Sequence, residues 1–263
     1  NYYQRIASIS RMQTSINLYE KTMEPIQVLD HGYVQLIESW GHGLAGTSED
    51  QQEISDYEVG IIEAARQSTQ GSFRGWEQDV KLLRYLYKNK HSTPFEFSGM
   101  VLEVQAPIFV IREWQRHRTQ SYNEMSARYA PLPDINYVPT FERCFVASET
   151  NKQAKGMAEP NEEYIKDWVK TLPKIYKISE TLYQEALSNG IPKEIARIIL
   201  PVGRYSRMRC SSNLRNWLGF VDLRASPNAQ LEIRQYAEAV LTIMETVFPQ
   251  TMELRNTNST KEE

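Results

Sequence analysis

Three stretches of the chain alternate hydrophobic and polar side chains with the two-residue period of a β-strand. The first lies on both sides of residues 30–32, Asp-His-Gly, and predicts a hairpin over residues 26–38 with its turn at those three residues. The second covers residues 95–104 and the third residues 205–210. These stretches are the strand candidates of the chain.

Longer segments repeat apolar residues at the three- and four-residue spacing of an amphipathic helix. They cover residues 57–67, 76–90, 161–189, 192–200, about 212 onward and 227–248. Pro107 suits the first turn of one more helix. Asn161 can cap the long helix, which we expect Pro173 to interrupt and Gly190 to end. After Pro249 the chain is polar, and we expect a frayed tail.

Strands and helices are interspersed, with too few strand–helix–strand units for a doubly wound parallel sheet. We therefore predict an α+β fold, an antiparallel sheet flanked by helices, in a single-domain subunit. The predicted bounds are an N-terminal arm over residues 1–24, the main domain over 25–248 and a polar tail over 249–263.

The composition is that of a globular protein, with 41% hydrophobic and 24% charged residues. The formal net charge of -3 disfavours a nucleic-acid partner, and no apolar run approaches the ~20 residues of a membrane-spanning helix. Cys144 and Cys210 are the two cysteines, which excludes a disulfide framework and a cysteine-based zinc site. We expect a cytoplasmic protein that binds neither membrane nor metal.

Residues 41–46, Gly-His-Gly-Leu-Ala-Gly, match the GxGxxG pattern of dinucleotide-binding proteins. Such a site needs an amphipathic helix that begins at the last glycine and points its N-terminus at the pyrophosphate. Residues 47–53 instead carry Glu49, Asp50 and Glu53 and have no apolar face. Because these carboxylates would repel a pyrophosphate, we interpret the segment as a mobile glycine loop.

Residues 116–129 hold the densest set of chemically active side chains. The set combines arginines, a histidine, a carboxylate and hydroxyl groups: Arg116, His117, Arg118, Glu124, Ser126, Arg128 and Tyr129. A solvated, salt-bridged surface is one explanation. Arginine interleaved with hydroxyl groups, without lysine, is more typical of bidentate contacts to phosphate, carboxylate or planar heterocycles. The pattern therefore favours a site for an anionic ligand.

Arg116-His117-Arg118, followed after seven residues by Ser126, resembles the Arg-His-Arg-x7-Ser motif of the flavin-dependent thymidylate synthases. Further segments resemble that family in the same order. They are His-Ser-Thr-Pro-Phe-Glu at 91–96, Ala-Ala-Arg-Gln-Ser at 64–68, Ala-Arg-Ile-Ile-Leu-Pro at 196–201, and the C-terminal matches Asn213-Leu214-Arg215, Phe220, Leu223-Arg224 and 229–233. The resemblance covers about residues 25–245.

This resemblance implies an enzyme that makes dTMP from dUMP. Methylenetetrahydrofolate is the implied carbon donor, and FAD, reduced by NADPH, the implied source of hydride. The resemblance also implies a homotetramer in which each active site is shared between subunits, so that the partners are dUMP, folate and further copies of the chain. A shared site explains how a small chain holds three ligands without a dinucleotide-binding domain.

The resemblance also assigns roles to individual positions. Those that match flavin contacts are His91, Thr93, Arg116, His117, Arg118, Glu124, Asn213, Leu214, Arg215 and Gly219. Those that match the dUMP site are Glu113, Arg116, Glu124, Ser126, Ala127, Arg128, Arg197 and Arg224. The catalytic candidates are Arg224, Ser126 and His91.

Three residues carry a chemical expectation. His117 lies between two arginines, whose charge should lower the pKa of its imidazole and keep it neutral. Ser126 could be a nucleophile, but no adjacent base is evident, so we favour donation to the dUMP phosphate together with Arg128. Arg224 is expected to face the uracil ring and stabilise its N3-deprotonated or enolate form, which raises electron density at C5.

Some positions have simpler explanations or depart from the family. His91 could be an ordinary histidine at a helix C-terminus, Arg197 could form a helix-end salt bridge, and Glu124 could merely neutralise arginines. The departures are Glu113 at a frequent Gln, Gly219 at a frequent Asn, Asn228 at a frequent His and Gln67 at a Val. We expect the departures at Gly219, Asn228 and Gln67 to weaken FAD binding and to leave the nucleotide contacts intact, whereas the departure at Glu113 bears on the contact to the nucleotide base.

Two other functions compete with this one. The arginine cluster could serve a nucleotide- or nucleic-acid-binding module without catalysis, although the chain has no basic stripe elsewhere. A cysteine-dependent thymidylate synthase needs a reactive thiolate. Arg143 precedes Cys144 and Arg209 precedes Cys210, but neither cysteine lies in the Pro-Cys-His context of that family.

Overall fold

One antiparallel sheet organises the part of the chain that the computed structural model describes, residues 23–43, 56–145 and 161–259. Its strands are β1 (Ile26–Val28), β2 (Gly32–Trp40), β3 (Gly99–Pro107), β4 (Ser121–Glu124) and β5 (Tyr205–Asn213). Their order is β1-β2-β3-β5-β4, and each neighbouring pair is antiparallel. The structure confirms the predicted α+β class. Of the glycine-rich segment at residues 41–46, residues 44–46 lie outside the described residues, as does the 47–53 segment that follows it.

Helices flank the sheet. They are α1 (Val59–Arg66), α2 (Trp76–Lys88), α3 (Ile108–Trp114), α4 (Phe141–Phe145), α5 (Glu162–Ser188), α6 (Lys193–Ala196), α7 (Leu214–Arg224), α8 (Leu231–Val247) and α9 (Pro249–Ser259). As predicted, Asn161 caps α5, because its side-chain oxygen accepts from the Tyr164 amide at 3.0 Å. None of these described helices has both the length and the apolar character needed to cross a membrane.

The predicted hairpin forms where the alternation placed it. β1 pairs with β2 in a register that sets Val28 opposite Gly32. A Cβ atom at Gly32 would lie 1.9 Å from the Tyr236 hydroxyl and 2.7 Å from the Val28 carbonyl oxygen. The turn therefore requires glycine at this position, since any side chain would displace α8 or the first strand.

Two of the predicted boundaries that the structure contradicts involve a proline. Residues 95–97 do not extend the strand, because Thr93–Phe97 forms a 3-10 turn with Pro94 in its first turn, and β3 begins only at Gly99. Pro173 does not interrupt α5, which continues to Ser188. Beyond the proline the helix is anchored by Tyr176, whose hydroxyl donates to the Tyr137 carbonyl oxygen at 3.0 Å.

The end of the chain is not a frayed tail as far as it is described. Pro249–Ser259 forms α9, and Met252 and Leu254 belong to the hydrophobic core. The Glu58 carboxylate accepts from the backbone amides of Gln250 and Thr251 at 2.8 and 2.7 Å, so it caps the helix N-terminus. Of the predicted arm over residues 1–24, residues 1–22 lie outside the described residues, as do residues 260–263 of the tail.

An aromatic cluster in the core fixes α3 against α7. Trp114 stacks on Phe220 with 4.4 Å between ring centroids, and Trp217 packs edge-on against both rings. The Trp217 indole nitrogen donates to the Met100 carbonyl oxygen of β3 at 3.2 Å, which ties α7 to the sheet. All three aromatic side chains are fully buried. The cluster therefore fixes the positions of the residues that follow Trp114 and Phe220 in the sequence.

Candidate active site

The ends of α3 and α7 bring Glu113, His117 and Arg224 into direct contact. Glu113 precedes Trp114, and Arg224 lies one turn after Phe220 on the same helix. The Arg224 guanidinium donates through Nη1 to the Glu113 carboxylate and through Nη2 to the Glu113 carbonyl oxygen at 3.3 Å. Its Nε donates to His117 Nε2 at 2.9 Å. Glu113 is therefore an ion-pair partner of Arg224, a role that its charge allows and a glutamine would lack.

His117 is half-buried and uncharged. Burial and, after it, the positive charge of Arg224 lower the pKa of the His117 imidazole to about 4. The lowered pKa of His117 confirms the predicted direction of the shift. The predicted cause is wrong, because Arg116 and Arg118 are exposed and the charge that lowers the pKa is that of Arg224. The Phe220 ring packs edge-on against the imidazole at 4.9 Å.

Two residues that support this cluster, Tyr122 and Gln115, were not predicted from the sequence. The Tyr122 hydroxyl donates to the His117 carbonyl oxygen at 2.8 Å. The Gln115 amide donates to the Glu124 carboxylate at 3.3 Å, and no arginine of the described residues forms an ion pair with Glu124. The alternation along residues 121–124 could have indicated the role of Tyr122, because it places Tyr122 and Glu124 on the same side of β4.

The loop after β4 presents hydroxyl and guanidinium groups together. The Met125 amide donates to the Arg207 carbonyl oxygen at 2.7 Å, which anchors the start of the loop to β5. The Ser126 hydroxyl oxygen accepts from the Arg128 amide at 3.3 Å and from Arg128 Nε at 3.4 Å. An arginine cannot act as a base for serine. The geometry therefore supports a binding role for Ser126, with the buried Ala127 beside it.

Arg197 lies in a short 3-10 turn (Arg197–Ile199) and is exposed. Its Nε donates to the Glu194 carbonyl oxygen at 3.3 Å, and within the part of the chain that the structure describes it does not form the helix-end salt bridge considered above. The preceding helix α6 is tied to the Ser126 loop, because Lys193 Nζ donates to the Tyr129 carbonyl oxygen at 3.0 Å. Arg116, Arg118 and Thr93 are exposed as well.

A cavity of about 350 Å³ lies where α2 meets α7. Its walls are Leu86, Tyr87, Lys90, His91, Ser92, Phe95, Arg215, Leu218, Gly219 and Asp222. A second cavity of about 550 Å³ also contains His91, together with Thr93 and the 64–68 segment. A Cβ atom added at Gly219 would meet no atom within 4 Å. Apolar walls combined with cationic side chains fit a planar ring system that carries phosphates.

Four residues that match flavin contacts line these cavities: His91, Thr93, Arg215 and Gly219. Neither cavity is lined by Glu113, Ser126 or Arg224. Two further residues that match flavin contacts also have a role in the fold. Asn213 caps α7 by accepting from the Asn216 amide at 3.0 Å. Leu214 is fully buried, so its side chain faces the core.

Neither cysteine is suited to nucleophilic attack. Cys210 is fully buried in the sheet, and burial raises the pKa of its thiol far above the ordinary range. Burial also raises the pKa of the Cys144 thiol, despite the neighbouring Arg143. The structure therefore disfavours the cysteine-dependent mechanism.

Comparison with known proteins gives one consistent result. The family model described as thymidylate synthase complementing protein matches residues 50–250. The flavin-dependent thymidylate synthase of Thermotoga neapolitana is 34% identical over 228 residues, which are 87% of this chain and 92% of that protein. The Rickettsia bellii enzyme of the same name is 36% identical over 248 residues, 90% of this chain and 79% of that protein.

Solved structures agree with the sequence comparison. The UMP/dUMP methylase PolB from Streptomyces cacaoi, bound with 5-Br dUMP, superimposes with a TM-score of 0.72 at 29% identity. That match covers 88% of this chain and 97% of PolB. The same protein bound with 5-Br UMP gives a TM-score of 0.71 at 30% identity, over 88% of this chain and 96% of PolB. The chain belongs to the flavin-dependent thymidylate synthase family.

Proposed function

We propose that this chain catalyses the reductive methylation of dUMP to dTMP. Methylenetetrahydrofolate is the carbon donor, and FAD reduced by NADPH is the hydride source. The observation that carries the proposal is the contact of Arg224 with Glu113 and His117. His117 belongs to the same motif as Ser126, whose loop brings hydroxyl and guanidinium donors together. Family membership and the nucleotides bound to PolB support the choice of substrate.

Arg224 activates the nucleotide in this proposal. C5 of neutral uracil is a poor nucleophile, and a cation at the N3 edge stabilises the ring form with more electron density at C5. A guanidinium has five N–H donors, of which Arg224 uses three on Glu113 and His117, so two are left for the pyrimidine. Glu113 and His117 fix the plane in which these two donors point.

The nucleotide phosphate is assigned to Ser126, Ala127 and Arg128, with Arg197 as a further cation. The exposed Arg197 guanidinium is available to a second copy of the chain as well as to its own. FAD, when bound, supplies the hydride that completes the methyl group. The residues that would hold it are His91, Thr93, Arg215 and Gly219, which line the two cavities, together with Asn213 and the exposed Arg116 and Arg118.

The proposed protein is a homotetramer with shared sites, and an apolar stripe on α5 supports self-association. Tyr164, Trp168, Ile175, Ile178 and Leu182 are exposed there, with Ile178 at 63%. With Thr171 they follow the alternating three- and four-residue spacing of a helix seam that packs against another helix. A stripe of this kind is unusual on a surface that faces water.

Light scattering tests the proposed assembly. Ile178→Glu, which places a charge in the stripe, is expected to lower the molar mass from that of a tetramer. Lys177→Glu alters the neighbouring polar position of the same helix and is the matched control, which should keep the parent mass. A parent protein that is a monomer would contradict the proposed assembly.

The function is tested by product formation in a complete mixture of protein, FAD, NADPH, methylenetetrahydrofolate and dUMP. We expect dTMP, detected by mass spectrometry, and no dTMP when any one component is omitted. UMP replaces dUMP in a parallel reaction, because PolB is described as a UMP/dUMP methylase. A protein that binds dUMP but neither takes up flavin nor forms a methylated nucleotide would support the binding-module alternative instead.

A further inference from the structure

The hydrogen bond between Arg224 and His117 restricts the chemical state of the imidazole. Arg224 Nε carries a hydrogen at all accessible pH values and can only donate. His117 Nε2, at 2.9 Å, must therefore be the acceptor and carry a lone pair. A neutral imidazole with an acceptor at Nε2 has its hydrogen on Nδ1.

We infer that Glu113 and Arg224 are positioning residues that hold His117 as the neutral Nδ1–H tautomer, so that His117 serves the site as a hydrogen-bond donor. The inference rests on the proposed function only for the identity of the ligand atom that accepts a hydrogen bond from His117 Nδ1. The geometry that supports the tautomer belongs to the protein alone.

Contacts at Nε2, at the ring and at the backbone carbonyl oxygen constrain the His117 imidazole. Glu113 holds the guanidinium with its carboxylate and its carbonyl oxygen, so Arg224 cannot rotate away from His117 without losing a charge-assisted bond. Phe220 packs against the ring, and Tyr122 holds the His117 carbonyl oxygen at 2.8 Å. Burial and the Arg224 charge lower the pKa of His117 to about 4, which keeps the ring uncharged at neutral pH.

This state selects the kind of atom that His117 can bind. A neutral N–H donor pairs with a carbonyl oxygen or ring nitrogen, such as those of a uracil, isoalloxazine or pterin ring. A dianionic phosphate is served better by the guanidinium and hydroxyl groups of Arg128 and Ser126. His117 therefore marks the heterocycle end of the site, and it acts as neither a general base through Nε2 nor a cation.

Nitrogen-15 NMR of histidine-labelled full-length protein, without ligands, tests the inference. The chain has four histidines, and His117→Gln identifies the signal that belongs to His117. We expect one Nδ1–H tautomer with no titration between pH 8 and about 5.5, and protonation only below about pH 5. Arg224→Met should release this tautomer and move the pKa of His117 toward the ordinary ~6.5.

Two further variants separate positioning from general damage. Glu113→Gln keeps the shape but removes the carboxylate that orients Arg224, so we expect a mixture of both tautomers. Arg209→Met removes an exposed arginine of β5 whose ion-pair partner is Glu103, so it should leave the His117 signals unchanged. This control shows whether the loss of an arginine that does not contact His117 changes the histidine spectrum.

The parent spectrum alone can overturn the inference. An Nε2–H tautomer, or titration of His117 near pH 6.5, would contradict it, whether or not Arg224→Met folds. An unchanged tautomer in both Arg224→Met and Glu113→Gln would show that neither residue positions the imidazole. Because no ligand is present, these results are independent of the dTMP assay, and absence of dTMP with the expected spectrum would refute the proposed function alone.

Discussion

Replacing Arg224 by alanine is expected to slow methyl transfer strongly while the flavin can still be reduced. The change removes the donors to His117 Nε2, to the Glu113 carboxylate and to the Glu113 carbonyl oxygen. It also removes the two free N–H groups that we assign to the pyrimidine. NADPH reduces the flavin before uracil has to be activated, so this step should survive.

The size of the effect follows from the type of interaction lost. Removal of one preorganised donor to a developing negative charge typically lowers kcat by about 10²–10³. The half-buried Glu113 carboxylate also loses its partner, which we expect to cost about 1–3 kcal/mol of stability. Arg224→Lys keeps a charge but not the planar fork, so it should recover only part of the rate.

Stopped-flow absorbance separates the two half-reactions. In the first, oxidised enzyme is mixed with NADPH, and we expect parent-like rates for Arg224→Ala and Arg224→Lys. In the second, reduced enzyme is mixed with dUMP and methylenetetrahydrofolate without oxygen, and Arg224→Ala should be slower by about 10²–10³. Reoxidation of Arg224→Ala at the parent rate would show that Arg224 is structural and that the proposed activation is wrong.

Three further predictions concern other parts of the molecule. Gly219→Asn should bind FAD more tightly in a fluorescence titration, because the new side chain has open space beside the His91 cavity. Burial raises the pKa of Glu58 to about 7, so the folded protein binds a proton there more tightly than the unfolded chain does. Its contribution to stability is therefore complete below about pH 4.5 and lost as the pH rises through 7, and Glu58→Gln should flatten the change in Tm over that range. Combined Cys144→Ser and Cys210→Ala should retain dTMP formation.

Each of these predictions has a clear contrary result. Equal FAD affinity of Gly219→Asn and the parent would mean that the absent asparagine has no energetic consequence. An unchanged pH dependence of Tm in Glu58→Gln would show that another group titrates there. Complete loss of dTMP in a folded double-cysteine variant would restore the cysteine-dependent mechanism.

The sequence predicted the fold class well because local periodicity determines it. Alternation located the hairpin at β1 and β2, and Asn161 marked the start of α5. Alternation over residues 95–98 was misleading, because Pro94 and the burial of Phe95 favour a 3-10 turn. The helix after Pro249 escaped prediction because its cap, Glu58, is distant in sequence.

Prediction of the site was limited in the same way, because contacts between residues distant in sequence leave no local pattern. His117 and Ser126 could be predicted to lie near each other because they are close in sequence. In the structure His117 precedes β4 and Ser126 follows it. The contact of Glu113 with Arg224 depends on the stacking of Trp114 on Phe220, which joins two helices that no local pattern connects. The lowered pKa of His117 was predicted from adjacent arginines, whereas burial and Arg224 produce it.

The proposed reaction is tested most directly by an anaerobic single turnover of stoichiometrically reduced, FAD-loaded protein with dUMP and methylenetetrahydrofolate. The flavin spectrum and the amount of dTMP are measured in the same sample. We expect one dTMP for each reduced FAD that becomes oxidised, and no oxidation when dUMP is omitted. Oxidation of the flavin without dTMP, or formation of dTMP while the flavin stays reduced, would show that the proposed reaction is wrong.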